Sequence, residues 1–477
     1  QMNLFKDMVC YQEEVRDPSR MAEVLNRVIE KAIRGSAPAQ INVPRDYWTQ
    51  VIDIELPPIV RLERQAGGAE AIIKAADLLS NAKFPVILSG AGVVIGGAID
   101  DCVKLAEKLD SPVCSGYQHN DSFPGSHPLA VGPLGYNGSK AAMELISKAD
   151  VVLALGTRLN PFSTLPGYGI DYWPKNAKII QVDMNSDRIG LTKKVTVAIC
   201  GDAKMVAQQL LGKLSPKAGD TDRQKRKDLI HQTKSAWLQK LSSLDHEEDD
   251  VGTVWNKEAR ERDKDRMSPR QAWRAIQAGM PKDVIISSDI GNNCAIGNAY
   301  PTFEKGRKYL APGLFGPCGY GFPAILGAKI GCPDTPVIGF AGDGAFGISM
   351  NEMSSCARKE WPAISMVIFR NYQWGAEKRN TTLWFDNNFI GTELDPELSY
   401  AKVANACGLK GVTVKTMEET EKAIKQSCED QKKGITTFIE VILNQELGEP
   451  FRRDAMKRPV QVAGIKKEDM KPQKGLI

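Results

Sequence analysis

Between residues 84 and 443 the chain repeats one pattern: a short, almost unbroken apolar run, a turn, then a run with helical spacing. The apolar runs are 84–89, 112–115, 151–155, 178–182 and 195–199. After a charged interval come 284–288, 336–340, 362–369, 412–415 and 437–443. They lack the apolar–polar alternation of a strand with one wet face, so both faces must be covered. Helices between them, such as 98–109 with Ile99, Val103, Ala106 and Leu109 on one side, provide that cover. Tandem doubly wound α/β domains with parallel sheets are therefore expected.

Composition narrows the function. The 477 residues are enough for about two to four domains. With 62 Lys and Arg against 58 Asp and Glu, the net charge of +4 is too balanced to mark a nucleic-acid binder. No apolar run approaches the roughly 18–20 residues needed to cross a bilayer. Ten scattered cysteines without a C-x-x-C pair, and only four histidines, argue against a zinc or disulfide framework and for a reducing, cytoplasmic setting.

The chain opens on Gln1-Met2-Asn3 and reads as the last α/β unit of an N-terminal domain, with a helix capped near Asp17 and a short strand at 39–43 stopped by Pro44. The expected organisation is this remnant at 1–48, a connector at 49–65 and a central domain at 66–214. A solvated, charged helical linker at 215–266, a second complete domain at 267–445 and a Pro-punctuated tail at 446–477 follow.

Two glycine-rich segments follow apolar runs. The first, SGAGVVIGGA from Ser89, lacks the G-x-G-x-x-G spacing of a dinucleotide fingerprint, and a tight strand-to-helix turn that binds nothing accounts for it. The second, Gly342-Asp343-Gly344, falls at the carboxyl end of the run 336–340. A helix at 350–358 and the next strand then deliver Asn371 to the same sheet edge. A carboxylate there suits Mg²⁺, which takes oxygen ligands and shares them with phosphates. Asn371 can add a neutral carbonyl ligand and Gln373 a main-chain one. Each motif alone reads as a turn or a strand cap; together they point to a metal-bound diphosphate.

Gly-Asp-Gly followed about thirty residues later by Asn resembles the signature of thiamine diphosphate (ThDP) enzymes, and the resemblance covers the whole chain. It implies a largely missing pyrimidine-binding domain at the N-terminus, then central and diphosphate-binding domains. The segments GAGVVIGGAIDD, FPGSHPLAVGPLGYNG and ADVVLALGTRLNPF are similar to acetolactate-synthase-type central domains. GLFGPCGYGFPAILGAK and NYQWGAEKRNTTLWFDNNFIGTEL are similar to members that act on a sulfonated aldehyde.

The resemblance implies roles. Asp343 and Asn371 bind the metal through side chains and Gln373 through its carbonyl, although Arg370-Asn371 stands where relatives often have Asn-Asn. Gly316 and Cys318 hold the aminopyrimidine, and the Cys318 side chain wedges the cofactor bent unless it is merely a buried thiol. Asn292 and Asn293 contact the diphosphate, as do Gly342, Gly344 and the N–H groups of Ala345 and Phe346. The activating Glu has no match in this chain. The implied chemistry takes sulfoacetaldehyde and phosphate to acetyl phosphate and sulfite through a ThDP-bound enol and acetyl intermediate. Lys378 and Arg379 are candidates for holding the two anions, with exposed loop charge as the competing reading. A homodimer or homotetramer with shared active sites is implied. A carboligase or decarboxylase acting on pyruvate, or a non-catalytic scaffold, are the alternatives.

Overall fold

The computed structural model describes residues 1–58, 63–217, 219–244, 263–313, 315–358, 360–384 and 388–446. Residues 447–477 of the expected tail, most of the acidic and basic runs of the expected linker, and residues 59–62 of the connector lie outside them.

Residues Gln1–Glu63 form one compact unit. Strands β1 (Tyr11–Glu14) and β2 (Ala39–Asn42) pair in parallel. The crossover helix Met21–Gly35 sets Val24 and Val28 against Val15. Asp17 accepts the Ser19 N–H at 2.9 Å, capping a 3₁₀ turn that leads into the helix. β1 was not expected from the sequence, because its Gln-Glu-Glu composition hides it.

Residues Arg64–Ile477 form the second unit, which holds two six-stranded sheets. The first comprises β3 (Pro85–Ser89), β4 (Val113–Ser115), β5 (Ala130–Pro133), β6 (Val151–Leu155), β7 (Lys178–Asp183) and β8 (Val197–Cys200). They are parallel throughout, in the order β5-β4-β3-β6-β7-β8. The second comprises β9 (Ile285–Ser288), β10 (Tyr309–Leu310), β11 (Val337–Gly342), β12 (Ser365–Arg370), β13 (Lys410–Val414) and β14 (Thr437–Ile442). It is also parallel, in the order β10-β9-β11-β12-β14-β13. The central strands of both sheets are buried from end to end, as their apolar sequences require.

Two expectations change. The expected linker contains the helix Asp220–Leu244, and that helix is no mere solvated connector. Ile230 enters the core of the first sheet, while Trp237 and Leu241 enter that of the second. Three apolar residues spaced seven and four apart form one helical stripe, which a charged average composition conceals. The helix expected at 350–358 instead begins at Asp343 (Asp343–Ser349) and continues through a 3₁₀ turn into Met353–Cys356.

The two sheets are joined through Asn298. Its Oδ1 accepts the Gln118 N–H at 3.1 Å and its Nδ2 donates to the Tyr136 carbonyl at 3.0 Å. Asn120 donates to the Asn298 and Pro301 carbonyls in return. The short helix Asn292–Ile296, which leads directly into Asn298, is thereby fixed against the central domain.

Candidate active site

A cleft of about 550 Å³, the open solvent at its mouth included, lies at the carboxyl ends of β9, β11 and β12. From β10 the chain crosses over β9 to reach β11, so strand order reverses here, which is where open α/β sheets take ligands. Asn292, Asn293, Cys318, Asp343, Asn371 and Gln373 all line it, so residues far apart in sequence meet at one place.

Asp343 is buried at the junction of β11 and its helix. Its Oδ2 accepts three donors: the Tyr372 N–H at 2.6 Å, the Asn371 N–H at 3.1 Å and Arg370 Nη1 at 3.1 Å. Oδ1 accepts only the Gly344 N–H among the described residues, at 3.0 Å. That leaves Oδ1 with electron density to offer a cation. Burial pushes the carboxyl up to about 6, against the pull of Arg370 and the backbone donors.

The loop after β12 is bent for the same purpose. Tyr372 adopts φ 62°, a left-handed conformation costly for a bulky residue. It is held there by its N–H on Asp343 and by the Leu394 N–H on its carbonyl at 2.9 Å. Trp374 N–H bonds the Thr392 carbonyl on the other side, so the bridge between Gln373 and Glu393 uses the neighbours' groups. The Gln373 carbonyl therefore makes no hydrogen bond among the described residues. Its side chain is anchored through Nε2 to the Gln445 carbonyl, and Gln445 Nε2 donates to the Asn371 carbonyl, both at 3.1 Å.

The glycines flanking Asp343 serve different ends. A Cβ on Gly344 would lie 2.9 Å from the Trp374 ring, whereas one on Gly342 would meet nothing within 4 Å. Gly344 makes room for a side chain, and Gly342 keeps the cleft floor open.

The opposite wall carries Asn292 and Asn293. Asn292 Oδ1 and Nδ2 and Asn293 Oδ1 are buried without partners among the described residues, and in a folded protein such atoms are satisfied by ordered water or a bound group. The segment bearing Gly316 and Cys318 is positioned by Asp289, which accepts the Gly319 N–H at 3.1 Å and the Gly321 N–H at 2.7 Å. Gly316 sits at φ 60° against Ile290 and is not among the lining residues. Cys318 is exposed on the cleft wall rather than a buried core thiol. Partial burial, then the charges of Asp289 and Glu377, raise its thiol above the ordinary range and keep it protonated.

Ala345 lines the cleft, while the Phe346 ring is buried against Phe322, Tyr400 and Phe438, so only its backbone is available to a ligand. Lys378 and Arg379 are neither exposed nor on the cleft wall. They are buried on the helix Gly375–Trp384, which turns Ala376 and Glu377 to the cleft instead. Lys378 pairs with Glu393, and Glu393 accepts Gln445 Nε2 at 3.2 Å. Its charge reaches the Asn371 loop through that chain of contacts.

Sequence reading missed Asp289, Trp374 and Gln445, and registered Arg370 only as a departure from the family pattern. Of the three missed, Asp289 alone left a trace, as a carboxylate directly after an apolar run.

The residues present thus suit a divalent cation carrying a diphosphate. No group of three or more His, Cys, Asp or Glu that could hold a metal ion stands together among the described residues. Comparison with known proteins agrees in class. The family described as thiamine pyrophosphate enzyme, central domain, matches residues 72–210, and the C-terminal TPP binding domain matches residues 289–441. The chain belongs to the thiamine diphosphate (pyrophosphate) enzyme family.

Within that family its similarity is to sulfoacetaldehyde acetyltransferases. It is 77% identical to the probable sulfoacetaldehyde acetyltransferase of Rhizobium meliloti (strain 1021), over 99% of this chain and 80% of that one. It is 73% identical to the sulfoacetaldehyde acetyltransferase of Roseovarius nubinhibens, over 99% and 78%. Among solved structures, benzoylformate decarboxylase from Polynucleobacter necessarius shares the fold with a TM-score of 0.71. It is 18% identical, with 94% of this chain and 78% of that one covered.

Proposed function

We propose that this chain transfers an acetyl group derived from sulfoacetaldehyde to phosphate and releases sulfite, using thiamine diphosphate and Mg²⁺. The observation behind the reading is the convergence of Asp343, Asn371 and Gln373 on one cleft, in a chain whose relatives over nearly its whole length bear that name. Similarity to chains named acetolactate synthase is far lower.

Mg²⁺ would be held by Asp343 Oδ1, the Asn371 side chain and the Gln373 carbonyl, with phosphate oxygens and water completing its preferred octahedron. The diphosphate would lie over Gly342 and the first-turn N–H groups of the helix from Asp343, and would satisfy Asn292 and Asn293. When bound, thiamine diphosphate supplies the carbon nucleophile and the electron sink. Cys318, on a segment that Asp289 holds in place, would pack against it.

Ile290 on the cleft wall, and Phe315 and Ile348 elsewhere in the same domain, leave apolar surface exposed, with Phe315 92% exposed. We infer that a second copy covers this surface in a homodimer or homotetramer. Among the described residues no helix is long and apolar enough to cross a membrane. The ten unpaired cysteines fit a reducing compartment, and we place the activity in the cytoplasm.

The test is direct. With thiamine diphosphate, Mg²⁺, sulfoacetaldehyde and phosphate, sulfite and acetyl phosphate should appear in equal amounts. Pyruvate consumption without sulfite release would replace the reading with a carboligase. Cofactor binding without turnover of either substrate would leave a scaffold.

A further inference from the structure

Among the described residues Arg370 is the one charged group that pairs with Asp343, and it stands immediately before Asn371. It is 1% exposed. Nη1 donates to Asp343 Oδ2 at 3.1 Å, and Nη2 donates to the Leu398 carbonyl at 2.9 Å and to that of Asp395. Its guanidinium lies 4.2 Å from the centroid of the Tyr372 ring, which is the strained residue of the loop. Nε lies 3.9 Å from Glu440 Oε1. Glu440 is itself buried on β14, where it accepts Ser399 Oγ at 2.7 Å and the Tyr400 N–H at 3.1 Å. Tyr400 closes the circuit, its hydroxyl donating to the Asp343 main-chain carbonyl at 2.9 Å.

A guanidinium is suited to this junction because it is planar, always charged and presents five donors in a fixed fork. One arm occupies Oδ2 of Asp343 and so turns the remaining acceptor, Oδ1, toward a cation. The other arm grips the 395–398 turn. A lysine could keep the first contact but not both.

We propose that Arg370 is the positioning residue of this site, fixing Asp343 for cation–diphosphate binding and tying that event to ordering of the segment 394–400. The proposal rests on the metal-site reading above. The bound unit of Mg²⁺ and diphosphate carries opposing charges close together. Loss of the Arg370 charge therefore changes its attraction little, and loss of orientation dominates.

The experiment uses the full chain with Arg370→Gln and Arg370→Lys. Thiamine diphosphate binding is followed by quenching of tryptophan fluorescence as Mg²⁺ is titrated. Amide exchange of residues 394–400 is followed with and without both ligands. Arg370→Gln should need at least about tenfold more Mg²⁺, the scale of one lost charge-assisted hydrogen bond. Arg370→Lys should stay within about threefold of wild type, since its ammonium still reaches Asp343. In the wild type the ligands should slow exchange across 394–400, and in Arg370→Lys that protection should be lost. Wild-type Mg²⁺ dependence in Arg370→Gln, or full protection of the segment in Arg370→Lys, would overturn the proposal. If Arg370→Gln fails to fold, the exchange measurement on Arg370→Lys decides alone. If the wild type itself takes up no thiamine diphosphate with Mg²⁺, it is the metal-site reading that fails.

Discussion

The molecule contains two glycine-rich turns, each at the point where strand order reverses in a parallel sheet, and they are built for opposite ends. In the central domain that point lies between β3 and β6. There Gly92 donates its N–H to the Gly156 carbonyl at 2.8 Å, and Gly90 bonds Leu155 at 3.1 Å. A Cβ on Gly92 would sit 2.7 Å from Gly156 Cα, and one on Gly90 would sit 2.6 Å from the Gly156 carbonyl oxygen. These glycines let two pieces of backbone touch, and the contact alone accounts for them. In the second domain Gly342 faces open space, and Asn292 Oδ1 and Nδ2 and Asn293 Oδ1 beside the cleft have no partner among the described residues. A glycine-rich turn at a sheet's switch point is thus no ligand site by itself. What distinguishes the second is a carboxylate and an amide brought to the same edge.

The sharpest test of this contrast is at Asp343. Losing a group that merely hydrogen-bonds a metal ligand commonly costs about ten- to a hundredfold in affinity, so removing Asp343, the one carboxylate of the proposed ligand set, should cost more than about a hundredfold. Asp343→Asn should therefore abolish Mg²⁺-dependent thiamine diphosphate binding in calorimetry, and Asn371→Ala, which removes a proposed neutral ligand, should weaken it less. Equal losses would show that charge is not what the site supplies.

The glycines should separate stability from binding. Gly92→Ala forces a Cβ against backbone that cannot yield, and overpacking of this kind costs about 1–3 kcal/mol. The melting temperature should fall by about 3–9 °C, with thiamine diphosphate affinity unchanged in the folded protein. Gly342→Ala should do the reverse. Its φ of −70° accommodates alanine, so the melting temperature should hold while affinity drops roughly tenfold, the loss of about one hydrogen bond's worth of approach. If Gly92→Ala weakens binding without loss of stability, the central turn has a ligand and the contrast collapses.

The smallest effect belongs to His119, at the carboxyl end of the central sheet. Burial, with the neighbouring Arg158 charge, pushes its imidazole from 6.5 down to about 4. The folded state thus prefers the neutral ring, and between these values the unfolded chain binds more protons. The stability contribution is complete above pH 6.5 and is lost as pH falls toward 4. Thermal melts should show that slope in the wild type and a shallower one in His119→Gln, whereas no change would place His119 in solvent.

The sequence by itself determined the tandem parallel sheets, because strands covered on both faces must be apolar throughout, and this can be read without knowing what covers them. It also determined that Asp343 and Asn371 share an edge, since one helix and one parallel strand return a chain to the edge it left. Only the tertiary structure decided what depends on neighbours distant in sequence. Gly90 and Gly92 are explained by Gly156, across the sheet. Lys378 looked like a free charge until its helix turned it toward Glu393. The helix from Asp220 looked solvated until Trp237 and Leu241 found a core in another domain. Arg370, which a reading of the chain registers only as a departure from the family pattern, acquires its role from Asp343, Leu398 and Glu440. A guanidinium can be expensive in an apolar core or decisive beside a carboxylate, and which of these holds is set by partners that only folding brings within hydrogen-bonding distance.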